Sequence, residues 1–445
     1  VKRVWPLALA LVACAPAASK PPAIIRECSY DVELKPEGRA HVEATCRADG
    51  AVSFRVAHRY LKKSVSFAGP AHGGKLSYEV DLARLAGSGR DFDRALRVGD
   101  SFVAPMSSVL LVPEPLSTEI PVKVRVHAAA PIAVSVGLAR DAAPETYRLF
   151  AHEIPVATYF AFGKLQQRTL AVGGGRLEVT RLDGELDQSF EDVSRWVETS
   201  ARAVHDFYGA FPVPRAQVTI IPVPGRDAVV FGKVLPESSP GVALLLGQHA
   251  PARALYSDWI LVHELFHLGF PSFYEEGKWL DEGLATYYEP IIRARAGLYS
   301  EAELWDEFLS SMPQGVDAFT RSGLEHATDF RGVYWGGAIA CLVADVEARK
   351  RRPSAGLEVG LRALREAGGN ACEVWSLAQA MGAVDHALGA PTLAPIAARH
   401  ARRGSAFDLA ALFADLGVTR DRQGKLALSN TAPLAAVRRA ITANP

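Results

Sequence analysis

The sequence predicts an α+β protein of several domains: a β-rich unit over residues 21–182, a mixed α+β unit over 183–298 and an α-helical unit over 299–445, behind a targeting segment at 1–20. Three observations point there. Up to about Val179, short apolar runs alternate with clusters of Gly, Pro and Asp, the pattern of half-buried strands joined by turns. Near Asp187 the apolar period lengthens from two residues to about 3.6. From Glu301 onward the chain is rich in Ala, Leu and Arg at helical spacing. At 445 residues it also exceeds one ordinary core, at roughly 150 residues per domain.

Composition narrows the function classes. With 49% hydrophobic and 22% charged residues the chain is globular rather than disordered. Its 49 basic and 49 acidic residues cancel, which leaves no basic field to hold nucleic acid and no acidic excess to draw a polycation.

Taken in order, Lys2 and Arg3 precede an apolar run from Val4 to Val12 that is too short to span a bilayer. Leu11-Val12-Ala13-Cys14 resembles the lipobox of bacterial lipoproteins, which implies acylation of Cys14 and a lipid anchor to the membrane. The other reading is a secretory signal cut after Ala15-Pro16-Ala17. An exported protein of the bacterial cell envelope is expected, lipid-anchored in the first case and periplasmic or secreted in the second.

Of five cysteines, removing Cys14 leaves four. Cys28 and Cys46 are equidistant from Glu37 in the turn Lys35-Pro36-Glu37-Gly38, so they face each other in that hairpin register and can form a cross-strand disulfide. Cys341 and Cys372 are then a second pair by elimination, or two buried thiols.

Strands are expected at Ile24–Leu34, His41–Cys46, Ser77–Val80, Val122–Val126 and Leu177–Val179, with turns at Gly73-Gly74 and Gly173-Gly174-Gly175. The triplet lacks the spacing of a phosphate-binding loop. Phe190, Val193, Trp196, Val197, Val204 and Phe207 mark a helix stopped at Gly209. Strand-like runs follow at Val218–Ile221, Val229–Val234 and Val242–Leu246.

The stretch His263-Glu264-Leu265-Phe266-His267 comes next, on a helix with one stripe through Tyr256, Ile260, His263 and His267 and an apolar stripe through Leu255, Trp259, Val262 and Phe266. Two histidines four apart share a helix face and can grip one metal ion, and the intervening glutamate can act as a base. Gly269 and Pro271 stop this helix. A second helix, from about Gly277 to Arg295 with Pro290 inside it, carries Trp279-Leu280-Asp281-Glu282-Gly283. Two imidazoles and a carboxylate suit one zinc ion with an open position for water, the arrangement amide hydrolysis needs. Further helices are expected near Glu301–Ser311, Gly332–Lys350, Leu357–Ala367, Val374–Met381, Phe407–Leu416 and Leu434–Ile441.

The paired motifs resemble the gluzincin metallopeptidases of the aminopeptidase N and glycyl aminopeptidase type, whose catalytic domain is thermolysin-like. His263–His267 matches their first motif, and Trp279-Leu280-Asp281-Glu282-Gly283-Leu284-Ala285 matches their W-L-N-E-G-F-A. That match implies Glu282, not Asp281, as third zinc ligand beside His263 and His267, with Glu264 as general base. Phe207-Tyr208-Gly209-Ala210-Phe211-Pro212 and Val218–Pro222 are similar to the segment leading into their active-site strand. Val333-Tyr334-Trp335-Gly336-Gly337-Ala338 looks like their Y-x-K-G-A, which implies that Tyr334 steadies the tetrahedral intermediate.

Two departures stand out. The spacer between His267 and Glu282 is shorter than theirs by about one helical turn. Where they have G-x-M-E-N, whose glutamate holds the substrate amine, this chain reads Asp227-Ala228-Val229-Val230-Phe231-Gly232, leaving Glu275 and Glu276 as the nearby acids. The expected function is therefore a zinc-dependent metallopeptidase acting on peptides or proteins. Its alternatives are an aminopeptidase with a non-standard amine anchor and a catalytically silent envelope scaffold. Tyr287, Tyr288 and His326 are rival donors to Tyr334. Thr286 and Glu289, on the face of Glu282, are candidates to brace a ligand histidine.

Overall fold

The structure is a computed structural model that describes residues 23–87, 91–236, 239–273 and 276–443. The targeting segment with Cys14, and Glu275, lie outside the described residues.

The β-rich part begins with Ile25–Lys35, in which Cys28, Tyr30, Val32 and Leu34 are buried at every second position. Gly38, at φ +83°, reverses the chain into Arg39–Ala48; any side chain there would also strike the Phe102 ring. Cys28 lies directly opposite Cys46 and is bonded to it, as the hairpin register requires. These strands are central in a sheet of seven described strands. A second sheet contains Tyr159–Gly163 and Ser101–Pro105, buried on both faces. Phe102, Phe160 and Phe162 face the first sheet, while Val103, Tyr159 and Ala161 pack with Leu182, Ile221 and Ala243 of the central region. The alternation of one strand thus joins two cores.

The central sheet comprises β1 (Gln166–Val172), β2 (Gly175–Arg181), β3 (Arg215–Val223), β4 (Val229–Leu235) and β5 (Gly241–Gly247), in the order β1-β2-β3-β5-β4. Leu177–Val179, grouped by its pattern with the preceding strands, instead pairs parallel with β3 across the helix α1 (Phe190–Tyr208). That helix ends at Gly209, φ +78°. Strand β4 runs antiparallel to β5 and forms the open edge.

The metal-motif helix differs from the continuous one its two stripes suggest. A short helix, Ala252–Ser257, stops at Asp258, whose carboxylate accepts the Leu261 N–H at 3.0 Å and so caps α2 (Ile260–Phe266). His267 falls in a tight turn continuing α2 to Gly269. Helix α3 (Lys278–Arg295) follows. Its start is held by Glu325, which accepts the Gly277 N–H at 3.2 Å and the Trp279 indole N–H at 2.7 Å.

The remaining chain is helical. Glu301–Ser311 matches its expected span, a π-helical turn at Arg331–Gly336 runs into α4 (Gly337–Arg351), and Leu357–Glu366 follows. Leu377–Ala387 starts three residues later than its apolar pattern suggests, because Ser376 and Gln379 form a capping box. The helix Leu393–His400 and the small hairpin of Val418–Arg420 with Leu426–Leu428 have no counterpart in the sequence reading. No bond joins Cys341 to Cys372; Cys341 is a fully buried thiol on α4. Among the described residues no helix is long and apolar enough to cross a membrane.

Candidate metal centre

Helices α2 and α3 cross so that His263, His267 and Glu282 converge, with one ligand atom from each lying within 4.8 Å of the others. Nε2 of His263 is 3.2 Å and Nε2 of His267 is 3.6 Å from Oε2 of Glu282. Zinc bonds of about 2.0–2.1 Å in a tetrahedron place ligand atoms about 3.3 Å apart, so the spacing suits one zinc ion. Donor chemistry agrees, two imidazole nitrogens and one carboxylate oxygen being a familiar zinc set. Asp281 holds Nδ1 of His267 at 2.8 Å, which orients the ring and leaves Nε2 for a metal.

Electrostatics point the same way. Burial would lower the His267 pKa, but the Asp281 and Glu282 carboxylates override it and raise it well above the usual histidine value. Burial would raise Glu282, yet the two histidines hold it below the usual carboxylate range. Asp281 and Glu282 thus stabilise positive charge at this position, carried by the proton on His267 or, in its place, by a metal ion.

Glu264 lines a cleft of about 450 Å³ with His267, Glu282 and Tyr334. Burial pushes its pKa up, and the Val234 N–H donates to it. Edge strand β4 reaches this helix at Gly232, where a Cβ would lie 2.4 Å from Ile260 Cγ2 and 2.8 Å from Glu264 Cγ. Only glycine permits that approach.

Tyr334, on the π-helical turn, stacks on His263 with ring centroids 5.6 Å apart and planes within 5°. Burial, then the nearby Glu282 and Glu264 carboxylates, push its phenol up, so it stays protonated and able to donate. The turn sits where α4 meets α3: a Cβ on Gly337 would be 2.0 Å from the Trp279 carbonyl oxygen and 2.7 Å from Gly283 Cα. Below, the Tyr287 hydroxyl donates to Asp345 at 2.8 Å, fastening α3 to α4, and Arg349 pairs with Glu358 at 2.7 Å, fastening α4 to the helix Leu357–Glu366.

The rival donors lie elsewhere. Tyr287 and Tyr288 are fully buried in that polar cluster, and His326 is exposed away from the cleft. Glu276 is exposed and does not line the cleft. Thr286 and Glu289 line a small cavity on the far side of His263.

Sequence reasoning missed three features. Asp281 was read only as the neighbour of a ligand, although its position one residue before Glu282 was visible. Gly232 carried no signal beyond its residue type. Lys233 of β4 pairs with Asp93 of the β-rich part at 2.7 Å, and Tyr159 donates to the same carboxylate at 2.9 Å. Nothing in the sequence links residues 140 positions apart.

No protein-family model and no curated protein matches the sequence. Solved structures do match in fold. An aminopeptidase N family protein from Idiomarina loihiensis superposes with a TM-score of 0.67 at 14% identity, covering 88% of this chain and 78% of its own. A two-domain M1 zinc metallopeptidase variant bound to L-arginine gives 0.52 at 13% identity, covering 85% and 94%. A Deinococcus radiodurans M1 zinc metallopeptidase variant bound to a Tyr-Ser-Ala substrate gives 0.50 at 12%, covering 88% and 97%. The chain therefore shares the fold of these aminopeptidase N family and M1 zinc metallopeptidase structures, and within that fold its own residues bring together a His-x-x-x-His and downstream Glu cluster.

Proposed function

We propose that this chain is a zinc-dependent metallopeptidase that hydrolyses peptide bonds. The observation carrying the reading is the convergence of His263, His267 and Glu282 at zinc-ligand spacing, with Glu264 beside them facing the cleft. Zinc held by these three residues supplies Lewis-acid polarisation of a carbonyl and activation of a water at neutral pH. Glu264 takes the proton of the attacking water and passes it to the leaving amine. The Tyr334 hydroxyl donates to the oxyanion that develops on the scissile carbonyl. Asp281 keeps His267 in the tautomer that presents Nε2. An extended substrate lies along the open edge of β4.

The neighbours' bound arginine and tripeptide support peptides as the substrate class. Recognition of a free amine is a separate matter. Edge strand β4 offers Lys233 rather than an acid, and Asp93, the carboxylate that the β-rich part places in the cleft among the described residues, is engaged by Lys233 and Tyr159. The proposal is thus a peptidase that does not depend on an amine anchor on β4. The Cys28–Cys46 disulfide supports an exported chain, and tethering through Cys14 completes the reading.

Glu264→Gln is the test. The variant should keep one zinc per chain by elemental analysis and hydrolyse no peptide, while the natural chain loses activity to a chelator and recovers it with zinc. Full hydrolysis by the variant would remove Glu264 from the mechanism.

A further inference from the structure

A second cavity, of about 160 Å³, lies on the His263 side of the metal position, opposite the main cleft; Tyr334 borders both. Its mouth is formed by two exposed aromatics, Trp259 and Phe330, with Trp335 behind them. Besides His263 and Tyr334, its polar lining is Thr286, Glu289 and Glu307. Such a volume equals about five waters at ~30 Å³ each, the size of an unbranched side chain of five heavy atoms.

Charge inside this cavity does not balance. Glu289 is 3% exposed and pairs with Arg293 at 2.7 Å. That guanidinium also donates to the Ser257 carbonyl at 2.8 Å and lies over the Tyr299 ring, its Nε being without a partner among the described residues. Glu307 accepts from the Tyr299 hydroxyl at 3.0 Å and has no ion pair within 4 Å among the described residues. Two carboxylates thus face one arginine. Thr286 is 8% exposed, and its buried hydroxyl oxygen has no hydrogen-bond partner among the described residues. Glu307 is partly buried, and a carboxylate screened from water without a cation is disfavoured, while aromatic walls add attraction for a cation through their π faces. A guest with an apolar stem and a positive tip suits the aromatic walls, Glu307 and the Thr286 hydroxyl oxygen together.

We propose that this cavity is a specificity subsite for one basic side chain, that of lysine, on a residue flanking the bond to be cut. The stem lies between Trp259 and Phe330, and the tip donates to Glu307 and to the Thr286 hydroxyl. The proposal rests on the peptidase reading for its orientation beside the metal. It goes further by naming the side chain selected.

The test uses N-blocked hexapeptides that differ only in Lys, norleucine or Glu at each of the two positions flanking the cleaved bond. With the zinc-loaded chain, Lys at one position should exceed norleucine in kcat/KM by about tenfold or more, the scale of one charge-assisted hydrogen bond. Glu307→Gln should bring the ratio of the Lys to the norleucine kcat/KM to about one. Calorimetric binding to the zinc-loaded Glu264→Gln chain should show the same order without turnover. Equal Lys and norleucine values at both positions, by rate and by binding, would overturn the subsite, as would a Glu307→Gln loss shared by both peptides. If no peptide is cut but the Lys peptide still binds at least tenfold tighter, the subsite stands and the hydrolytic reading falls.

Discussion

Removing the carboxylate behind His267 should weaken zinc binding without removing any ligand. The bond from His267 Nδ1 to Asp281 Oδ1 is 2.8 Å, and the histidine is nearly inaccessible. It fixes both the tautomer and the rotation of the ring, so that Nε2 points at the metal position. In Asp281→Ala the ring loses that partner and the buried Nδ1–H loses its acceptor. Partners of this kind are worth about 10–100-fold in metal affinity, or ~1.4–2.7 kcal/mol. With the Asp281 side chain 33% exposed, water replaces part of the lost bond, which places the loss in the lower half of that range, about 10–30-fold. Asp281→Asn keeps an oxygen in place to accept from Nδ1–H and should stay within about threefold of the natural chain. Zinc affinity is measured at pH 7 by competition with a chelator of known affinity, with circular dichroism confirming the fold. If Ala binds zinc as tightly as Asp, the bond does not organise the site. If Asn loses as much as Ala, charge rather than the hydrogen bond is responsible.

Other perturbations test the rest of the site and its frame. Tyr334→Phe should lower kcat on an N-blocked peptide by about 10²–10³-fold with little change in KM, the usual cost of one oxyanion donor; an unchanged kcat rejects that role. Gly337→Ala places a methyl 2.0 Å from the Trp279 carbonyl oxygen and should lower stability by about 3 kcal/mol in urea denaturation, whereas an unaltered midpoint shows that the helices can part freely. Glu178 would be pushed up by burial, but Arg215 and Arg140 bring it from 4.5 down to about 2. Its folded value lies below its unfolded one, so its stabilisation is complete above pH 4.5 and disappears as pH falls towards 2, by about 1–2 kcal/mol after solvent screening. Glu178→Gln should flatten the stability curve across that interval, and an unchanged acid limb counts against the clamp.

Legibility in the sequence follows how locally each feature is encoded. The His263 to His267 spacing is one helical turn, and the Cys28–Cys46 pairing follows from a four-residue turn, so both were readable. The helix ending at Gly209 was equally plain, since an amphipathic period and its stop lie in one segment. Asp258 shows the limit: two stripes fit one long helix, but a carboxylate that caps the following turn ends one helix and starts another. Pairing of β2 with β3 was hidden because a strand's partner depends on the crossover through α1, not on the strand's own alternation. Lys233 and Asp93 meet only because the β-rich part folds over the edge of the central sheet, and no local pattern encodes that.

Much of the geometry at the metal centre is set by residues with no side chain. Gly232 lets the edge strand touch the helix carrying Glu264, and Gly283 with Gly337 lets the helix carrying Glu282 lie against the one that follows Tyr334. A methyl at any of these points would separate a pair of elements by an ångström or more, and a misplacement of about 1 Å can cost 10²-fold in rate. Glu264, Glu282 and Tyr334 are therefore positioned largely by backbone contact between their elements. Side chains around the cleft are then free to differ: Lys233 faces Asp93 on one side of the metal position, and Glu307 is left without a cation on the other. The edge strand carries no acid to hold a free amine, its Lys233 being paired with Asp93, and a negative cavity across His263 favours a basic side chain. Both features favour discrimination by residues around the cut bond over discrimination by the end of the peptide.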